Sequence, residues 1–441
     1  MKKLLILTAC GALLSLTAAD VFVNNQTGSD ANDGLAADRA AATFDKAMKV
    51  AKPGDRLIIA NTGTPYFESL FLKGDLGKDG QNFVVEGNGA VVSGLGKLDM
   101  AKFELKDGQY YYELGKKAAN LNPKIYINDQ QFPEAKDKKN VQPGEFAWTG
   151  SSFVFVPAAG KSLQDYELNA SLRDSGVVYM SAKNVTVRNL ISEHNQNDGF
   201  NFHGSCYNLV AENIVGRNNG DDGFSIHEDG EVAVYNAEFY GNCYGIEDIN
   251  ASVTSYHNVK IYNNQTGIHF SGGQRTLVNC TLTDNAKQLF VNSGSPGGYL
   301  GTDKTPHAYA GTAYLKNCKI SGGDFGIRVA ERAKVSMFNS EISVKSNAIV
   351  LQSGGELYLT GCVILGDPAA VINQSTLLGD KNLFYPGNFK IDNNPVDFAN
   401  FVQQVKSNAG SVCEEPQFDN GGLKQQPFMD KSPRLKLGRG F

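Results

Sequence analysis

The sequence predicts an all-β chain wound into a parallel β-helix, and three observations carry that expectation. First, a motif recurs: "NQNDGFNFHG" at residues 195–204 returns as "NGDDGFSIHE" at residues 219–228. With its glycine as anchor, equivalent positions fall at Gly176, Gly199, Gly223, Gly245 and Gly267. After a longer loop they resume at Gly326, Ala348 and Ala370, with 22–24 residues per coil in each run. Second, apolar residues alternate within each unit and recur between units: one position past the anchor sit Val177, Phe200, Phe224, Ile246, Ile268, Ile327, Ile349 and Val371. Period 2 is the mark of a strand with one buried face. A strand that returns every twenty-odd residues stacks on its own copy, about 4.8 Å above the last. Third, no stretch of helical periodicity is long enough to supply the helices of an α/β alternative.

Along the chain, residues 1–19, "MKKLLILTACGALLSLTAA", carry two lysines, an apolar run over residues 4–16 and small residues before Asp20. This is the pattern of a secretory signal peptide cut near Ala19, the run being too short for a bilayer span of about 20 residues. "LTAC" at residues 7–10 also resembles a lipobox, but Cys10 would have only nine residues ahead of it, so secreted or periplasmic export is the preferred reading. Residues 20–96 read as an N-terminal cap and first coils: a strand, an Asn/Asp/Gly turn, an amphipathic helix around residues 43–51, a break at Pro53-Gly54 and a second strand. A helix there covers the edge that an open solenoid exposes. Residues 97–171 lose the rhythm and read as an inserted β-rich module, residues 172–376 as the main β-helix, and residues 377–441 as a last coil and capping tail. Asn219, Asn242 and Asn263 precede successive anchors, where stacked amides can bond one another. Cys280, Cys318 and Cys362 share an inward position and read as buried free thiols. Cys280 and Cys318 fall on adjacent coils, where a disulfide is conceivable in an exported protein.

The opening "DVFVNNQTGSDANDGLAADRAAATFDKAMKVAKPGDRLIIA" resembles the start of many secreted right-handed parallel β-helix proteins that act on polysaccharides. The closing "SVCEEPQFDN" and "DKSPRLKLGRGF" are similar to the "adPxF…SPaxxxG" ending of that pectin-lyase-like superfamily. Within the insertion, "IYINDQQFPEA" and "QPGEFAWTGSSFVFVPAAG" resemble a module of bacterial β-helix glycosidase-like families. The resemblance implies a right-handed coil and a carbohydrate ligand. The superfamily holds hydrolases, lyases, epimerases and non-catalytic binders, so activity must be read from the site.

In a strand, side chains alternate faces, so the positions just before, two after and four after each anchor point outward. The first column holds Asp198, Asp222 and Tyr244; the second Asn201, Ser225, Glu247, His269 and, further on, Arg328; the third His203, His227, Ile249 and Ser271. The expectation is a solvent-facing stripe with Asp198, Asp222, Glu247 and His227 as catalytic candidates, and Asn201, His203, His269, Arg328 and Tyr309 as substrate ligands. Stacked carboxylates repel, which raises the pKa of one and leaves an acid beside an ionised partner. Glycoside hydrolysis uses such a pair, at roughly 5–5.5 Å for retention or 6.5–9.5 Å for inversion. A β-elimination on a uronate polymer is the alternative, with His203 or His227 as base and Ca²⁺ or arginine as neutraliser. A non-catalytic glycan-binding β-helix is the third class.

Asp248 occupies an inward slot, which reads either as a bulge that re-aims it outward or as a slip of one residue in the register. With Asp221, Glu228 and Asp229 it is a candidate for Ca²⁺, although the spacing fits no dedicated calcium loop; no other cofactor is implied. The loop "NSGSPGGYLGTDKTPHAYAG" after Val291 could bring Tyr299, His307 or Tyr309 to the stripe. The formal charge of −5 becomes −7 without Lys2 and Lys3, which argues against nucleic acid and leaves a poly- or oligosaccharide as the expected partner.

Overall fold

The computed structural model describes residues 18–115, 123–127, 130–294, 298–300, 303–307, 309–419 and 422–423. The signal-peptide reading, the Cys10 lipobox, the "SPRLKLGRGF" ending and the side chains of Tyr299 and His307 lie outside the described residues. The chain is a right-handed parallel β-helix with three strands per coil. One coil runs through Phe200–His203, Tyr207–Glu212 and Val215–Arg217, and the next through Asp222–Ile226, Glu231–Tyr235 and Glu238–Tyr240. Each strand pairs in parallel with its counterpart one coil on.

The anchor glycines have a steric cause. A Cβ at Gly223 would meet the carbonyl oxygen of Gly245 at 2.8 Å, and one at Gly245 that of Gly267 at 2.6 Å, so a bare Cα lets these coils close to strand spacing without a shift. The inward row follows in register: Phe200, Phe224, Ile246, Ile268, Leu289, Ile327, Ile349 and Ala370, all buried. Two departures from the sequence reading appear here. A coil carrying Lys287–Asn292 intervenes before the long loop, with Gln288 where an anchor glycine was sought. In the last regular coil Ala370, not Val371, pairs with Ile349, because that coil is one residue shorter.

The bend between second and third strands is made by asparagines in the left-handed region, among them Asn213, Asn236, Asn258 and Asn279 at φ 52–57°, a conformation asparagine tolerates best after glycine. A second, buried ladder runs Asn195, Asn219, Asn242, Asn264 and Asn285, each amide donating to the next at 2.8–3.2 Å. Asn264 replaces the expected Asn263, which instead takes φ 55° beside it.

Both ends are covered. The helix Phe44–Val50 is capped by Thr43, whose Oγ1 accepts from Lys46 N at 3.2 Å, and it buries Phe44 and Ala47; Phe44 stacks on Tyr66 at 4.8 Å. A helix at Phe398–Val405, not anticipated from sequence, begins at Asp397 and stacks Phe401 on Phe389 at 4.0 Å. The inserted module leaves the coils through an antiparallel pair, Leu95–Lys97 with Asn169–Ser171, and packs its own core around Phe146, Trp148, Phe153 and Phe155. It touches the coils through Tyr126, whose ring lies 4.4 Å from that of His194 and whose hydroxyl donates to Asn218 O at 3.2 Å. Cys206, Cys243, Cys280, Cys318, Cys362 and Cys413 are free. Cys280 and Cys318 sit on adjacent coils as thiols.

Asp248 corrects another expectation. No bulge turns it outward: it pairs in register with Ile226 and Phe270 and is 0% exposed. Its carboxylate lies 3.0 Å from Nε of Arg275, also fully buried, and accepts from Thr254 (2.6 Å) and Tyr256 (2.9 Å). The guanidinium in turn donates to Ser252 Oγ at 2.9 Å and to the Ser252 carbonyl. A carboxylate inside the solenoid is thus tolerated because a cation and two hydroxyls meet it there. Removing one partner strands the other in a dry interior. Arg275→Met is expected to lower unfolding free energy by about 3–5 kcal/mol, more than Arg275→Met with Asp248→Leu, as read from urea denaturation.

Candidate functional site

One sheet of the β-helix carries most of the candidates expected from sequence. Its outward column runs Asn201, Ser225, Glu247, His269, Phe290 and Arg328 in continuous register. Glu247 Oε1 is 2.7 Å from Nδ1 of His269, whose Nε2 is 2.9 Å from Asn292 Oδ1. His269 stacks face to face on Phe290 at 5.1 Å, and the Arg328 guanidinium lies 5.0 Å above the same ring. The coil repeat therefore holds Glu247 in one orientation through a chain of three partners.

One column over, the acids converge. Carboxylate oxygens of Asp198, Asp221 and Asp222 all lie within 4.8 Å of one another. The expectation of a solvent-facing stripe fails for part of this set: Asp198 and Asp222 are each 2% exposed and Asn201 4%, whereas Asp221 and Glu247 are half-buried. Asn201 donates to Asp198 and reaches Ser175 Oγ at 3.4 Å; Asp222 N donates to Asp198 Oδ1 at 3.2 Å. Oδ1 of Asp222 and Oδ1 of Asn201 have no partner. Burial, then the neighbouring Asp221, pushes the Asp198 carboxyl well up; burial, then Asp198, Glu247 and Asp221, does the same to Asp222. Asp221 is raised by burial and by the charge of Glu247.

On the third column His203 and His227 stack at 4.3 Å with rings 13° from parallel. Burial, with the neighbouring His203, lowers the His227 pKa to about 4, so it is a neutral ring whose Nε2 sits 3.0 Å from Ser225 Oγ. His203 is exposed, with Nδ1 3.7 Å from Glu228.

The remaining candidates scatter. Glu228 accepts from Gly204 N at 2.9 Å, and Asp229 accepts from Ser205 at 3.0 Å and from Tyr207, so both cap the turn below the histidines. With Asp248 inside the core, the expected set Asp221, Glu228, Asp229 and Asp248 does not converge. Of these only Asp221 joins the acids, and among the described residues the convergent group able to hold a hard cation through oxygen is Asp198, Asp221 and Asp222. Arg328 stands beyond Phe290 in the column, and Tyr309 packs against the turn glycines Gly272 and Gly294. Asp174 and Ser175 were missed. They precede the anchor Gly176 as Asn197 and Asp198 precede Gly199, so the register alone would have placed them one coil below the acids.

The pattern of a family described as periplasmic copper-binding protein (NosD) matches residues 146–316, and that of a right-handed β-helix region matches residues 249–396. A solved structure described as the complex of XylC with xylose is similar with TM-score 0.62 at 12% identity, over 91% of this chain and 88% of that one. That likeness shows a shared fold. A structure described as a glycoside hydrolase gives 0.45 at 8% identity over 90% and 96%, and pectate lyase Pel9A gives 0.42 at 11% over 90% and 79%. No curated protein matches the chain.

The signs of the shifts fix how the cluster affects stability. Asp198 and Asp222 bind a proton more tightly folded than unfolded, so their contribution is favourable below the usual 3.8 and is lost as pH rises through the raised values. His227 does the opposite, its contribution present above 6.5 and lost as pH falls through about 4. Asp222→Asn removes a buried ionisable carboxyl and is therefore expected to stabilise the protein at pH 7. The gain should shrink toward pH 4 in urea titrations across that range.

Proposed function

We propose that this chain is an exported enzyme that hydrolyses glycosidic bonds, with Asp221 as proton donor and Glu247 as the ionised carboxylate. The observation that carries this reading is the contrast between these two half-buried acids one coil apart. Burial and the charge of Glu247 favour a protonated Asp221, while Glu247 faces the ring of His269 at 2.7 Å. Cleavage of an acetal requires two carboxyls: one delivers a proton to the leaving oxygen, the other meets the developing positive charge or activates water. The deeper acids Asp198 and Asp222, first candidates on sequence grounds, stand behind Asp221 at 2% exposure, with one carboxylate oxygen of each of the three within 4.8 Å of the others. Asn201 orients Asp198, and His227 with Ser225 forms a neutral floor beneath the site.

A second reading rests on a separate observation. Three carboxylates in reach of one another, with Oδ1 of Asp222 unpartnered, suit Ca²⁺, which would neutralise a uronate carboxylate for β-elimination with exposed His203 as base. Copper, named for the family whose pattern matches, does not suit these residues. It favours nitrogen and sulfur donors, whereas the convergent atoms here are oxygens and the buried thiols of Cys280, Cys318 and Cys362 face backbone carbonyls.

Incubation with neutral and uronate polysaccharides, with and without Ca²⁺ or a chelator, separates the readings. New reducing ends without ultraviolet absorbance support hydrolysis; absorbance from unsaturated uronates that needs Ca²⁺ supports elimination instead. For the hydrolase, Glu247→Gln and Asp221→Asn are each expected to lower kcat by about 10²–10⁴-fold. The alkaline limb of the pH profile should lie above the usual carboxylate range and vanish in Asp221→Asn.

A further inference from the structure

Between the inserted module and the turns of the β-helix lies a cleft of about 680 Å³. The module supplies Lys124, Gln131 and Glu134; the coils supply a floor of turn residues running from Asn219 and Gly220 through Cys243, Gln265 and Ala286 to Gly323. That floor crosses five successive turns, a length of roughly 19 Å at about 4.8 Å per coil, room for several sugar rings laid along the axis. It is continuous with the acids. Cys243 N donates to Asp221 O at 2.9 Å, and the Cys243 thiol is pushed up to about 11 by burial and then by Asp221 and Glu247, with Lys124 and Lys287 opposing. One floor residue thus sits between the module's lysine and the reacting carboxylates.

The lining decides what fits. Its surface is amide, glycine and backbone, rich in donors and acceptors and without an aromatic ring among the described residues. Its one ammonium, Lys124, is held by Glu134 at 2.6 Å, and Asp284 adds a further acid. Lys287 stands exposed at the rim. A uronate chain would bring repeated carboxylates into a trough whose ammonium is already paired, whose lining adds Glu134 and Asp284, and whose floor residue Cys243 is bonded to Asp221. A hydroxyl-rich neutral chain meets no such repulsion, and the amides match its hydroxyls.

We infer that this cleft binds the substrate chain on one side of the scissile bond and that the substrate is an uncharged glycan of several residues. The inference rests on the hydrolase reading for its acids but is tested apart from it, by binding. Titration calorimetry would compare xylohexaose, cellohexaose, mannohexaose and hexagalacturonate on the Glu247→Gln protein, which spares the ligand. Ala286 is exposed on the cleft floor, so Ala286→Trp fills the trough without touching the core; Gln265→Ala removes an amide instead. At least one neutral hexasaccharide should bind, and hexagalacturonate should not. Ala286→Trp should weaken that binding at least about tenfold, or ~1.4 kcal/mol, and Gln265→Ala by a smaller factor. Preference for hexagalacturonate, silence toward every ligand, or unchanged affinity in both variants would overturn the inference. Hydrolysis of neutral polymers with unchanged affinity in the variants would sink the cleft alone. Cleft-dependent binding without any cleavage would sustain the cleft and sink the hydrolase.

Discussion

Everything in this molecule depends on the spacing between coils. Parallel strands hydrogen-bond at about 4.8 Å, and the glycine column at Gly199, Gly223 and Gly245 exists because any Cβ there would strike the next coil's carbonyl. Once that spacing is set, each side chain has the same position one coil away as its nearest neighbour. Like stacks on like: amides along Asn195, Asn219, Asn242, Asn264 and Asn285, rings at His203 and His227, carboxyls at Asp198 and Asp222. For amides and rings the stacking is favourable. For carboxyls it is not, and the charge of Asp198 adds to the burial that raises Asp222.

The same strand shows how sharply the two faces differ. Glu247 and Asp248 are adjacent in sequence and opposite in fate. Glu247 points out to His269, while Asp248 points in to Arg275 with both fully enclosed. The inward pair pins the strand that presents Glu247, because a shift of one residue would turn Asp248 outward, leave Arg275 buried without its partner and bury Glu247 without its histidine. A buried ion pair is weak as a source of stability, yet a one-residue slip is penalised twice here, on both faces at once.

Much of the fold was legible because the repeat is written in small residues and alternation, which need no tertiary knowledge. The outward columns followed from the same count, and the structure keeps them in the predicted order from Asn201 to Arg328 apart from Phe290. The omission has a cause: Gln288 stands where a glycine was sought, its amide reaching the carbonyls of Ser321 and Gly322 across the next coil. Asn263 was mistaken for Asn264 because both flank the turn and only the backbone conformation separates them. Burial of Asp198 and Asp222 was not legible at all, since the period of a strand says which way a side chain points and not what covers it. Nor was the partner of Asp248, because Arg275 lies on a different strand of the following coil and no local pattern joins them. The helix Phe398–Val405 did carry a signal, in apolar residues at 398, 401, 402 and 405 after a capping Asp397, but a run of two turns is easily lost beside so strong a strand rhythm.

A solenoid sheet alone offers a flat, wet face, on which an exposed acid pair would be screened by water. The inserted module changes that by standing beside the turns and making a trough out of a plane, with Tyr126 wedged on His194 and Lys124 tied to Glu134 at the rim. The desolvation that raises Asp198, Asp221 and Asp222 is the largest cause of each shift, ahead of any neighbouring charge. Stacked coils bring the carboxyls together, and the loss of water around them, more than the charge of any neighbour, raises their pKa values.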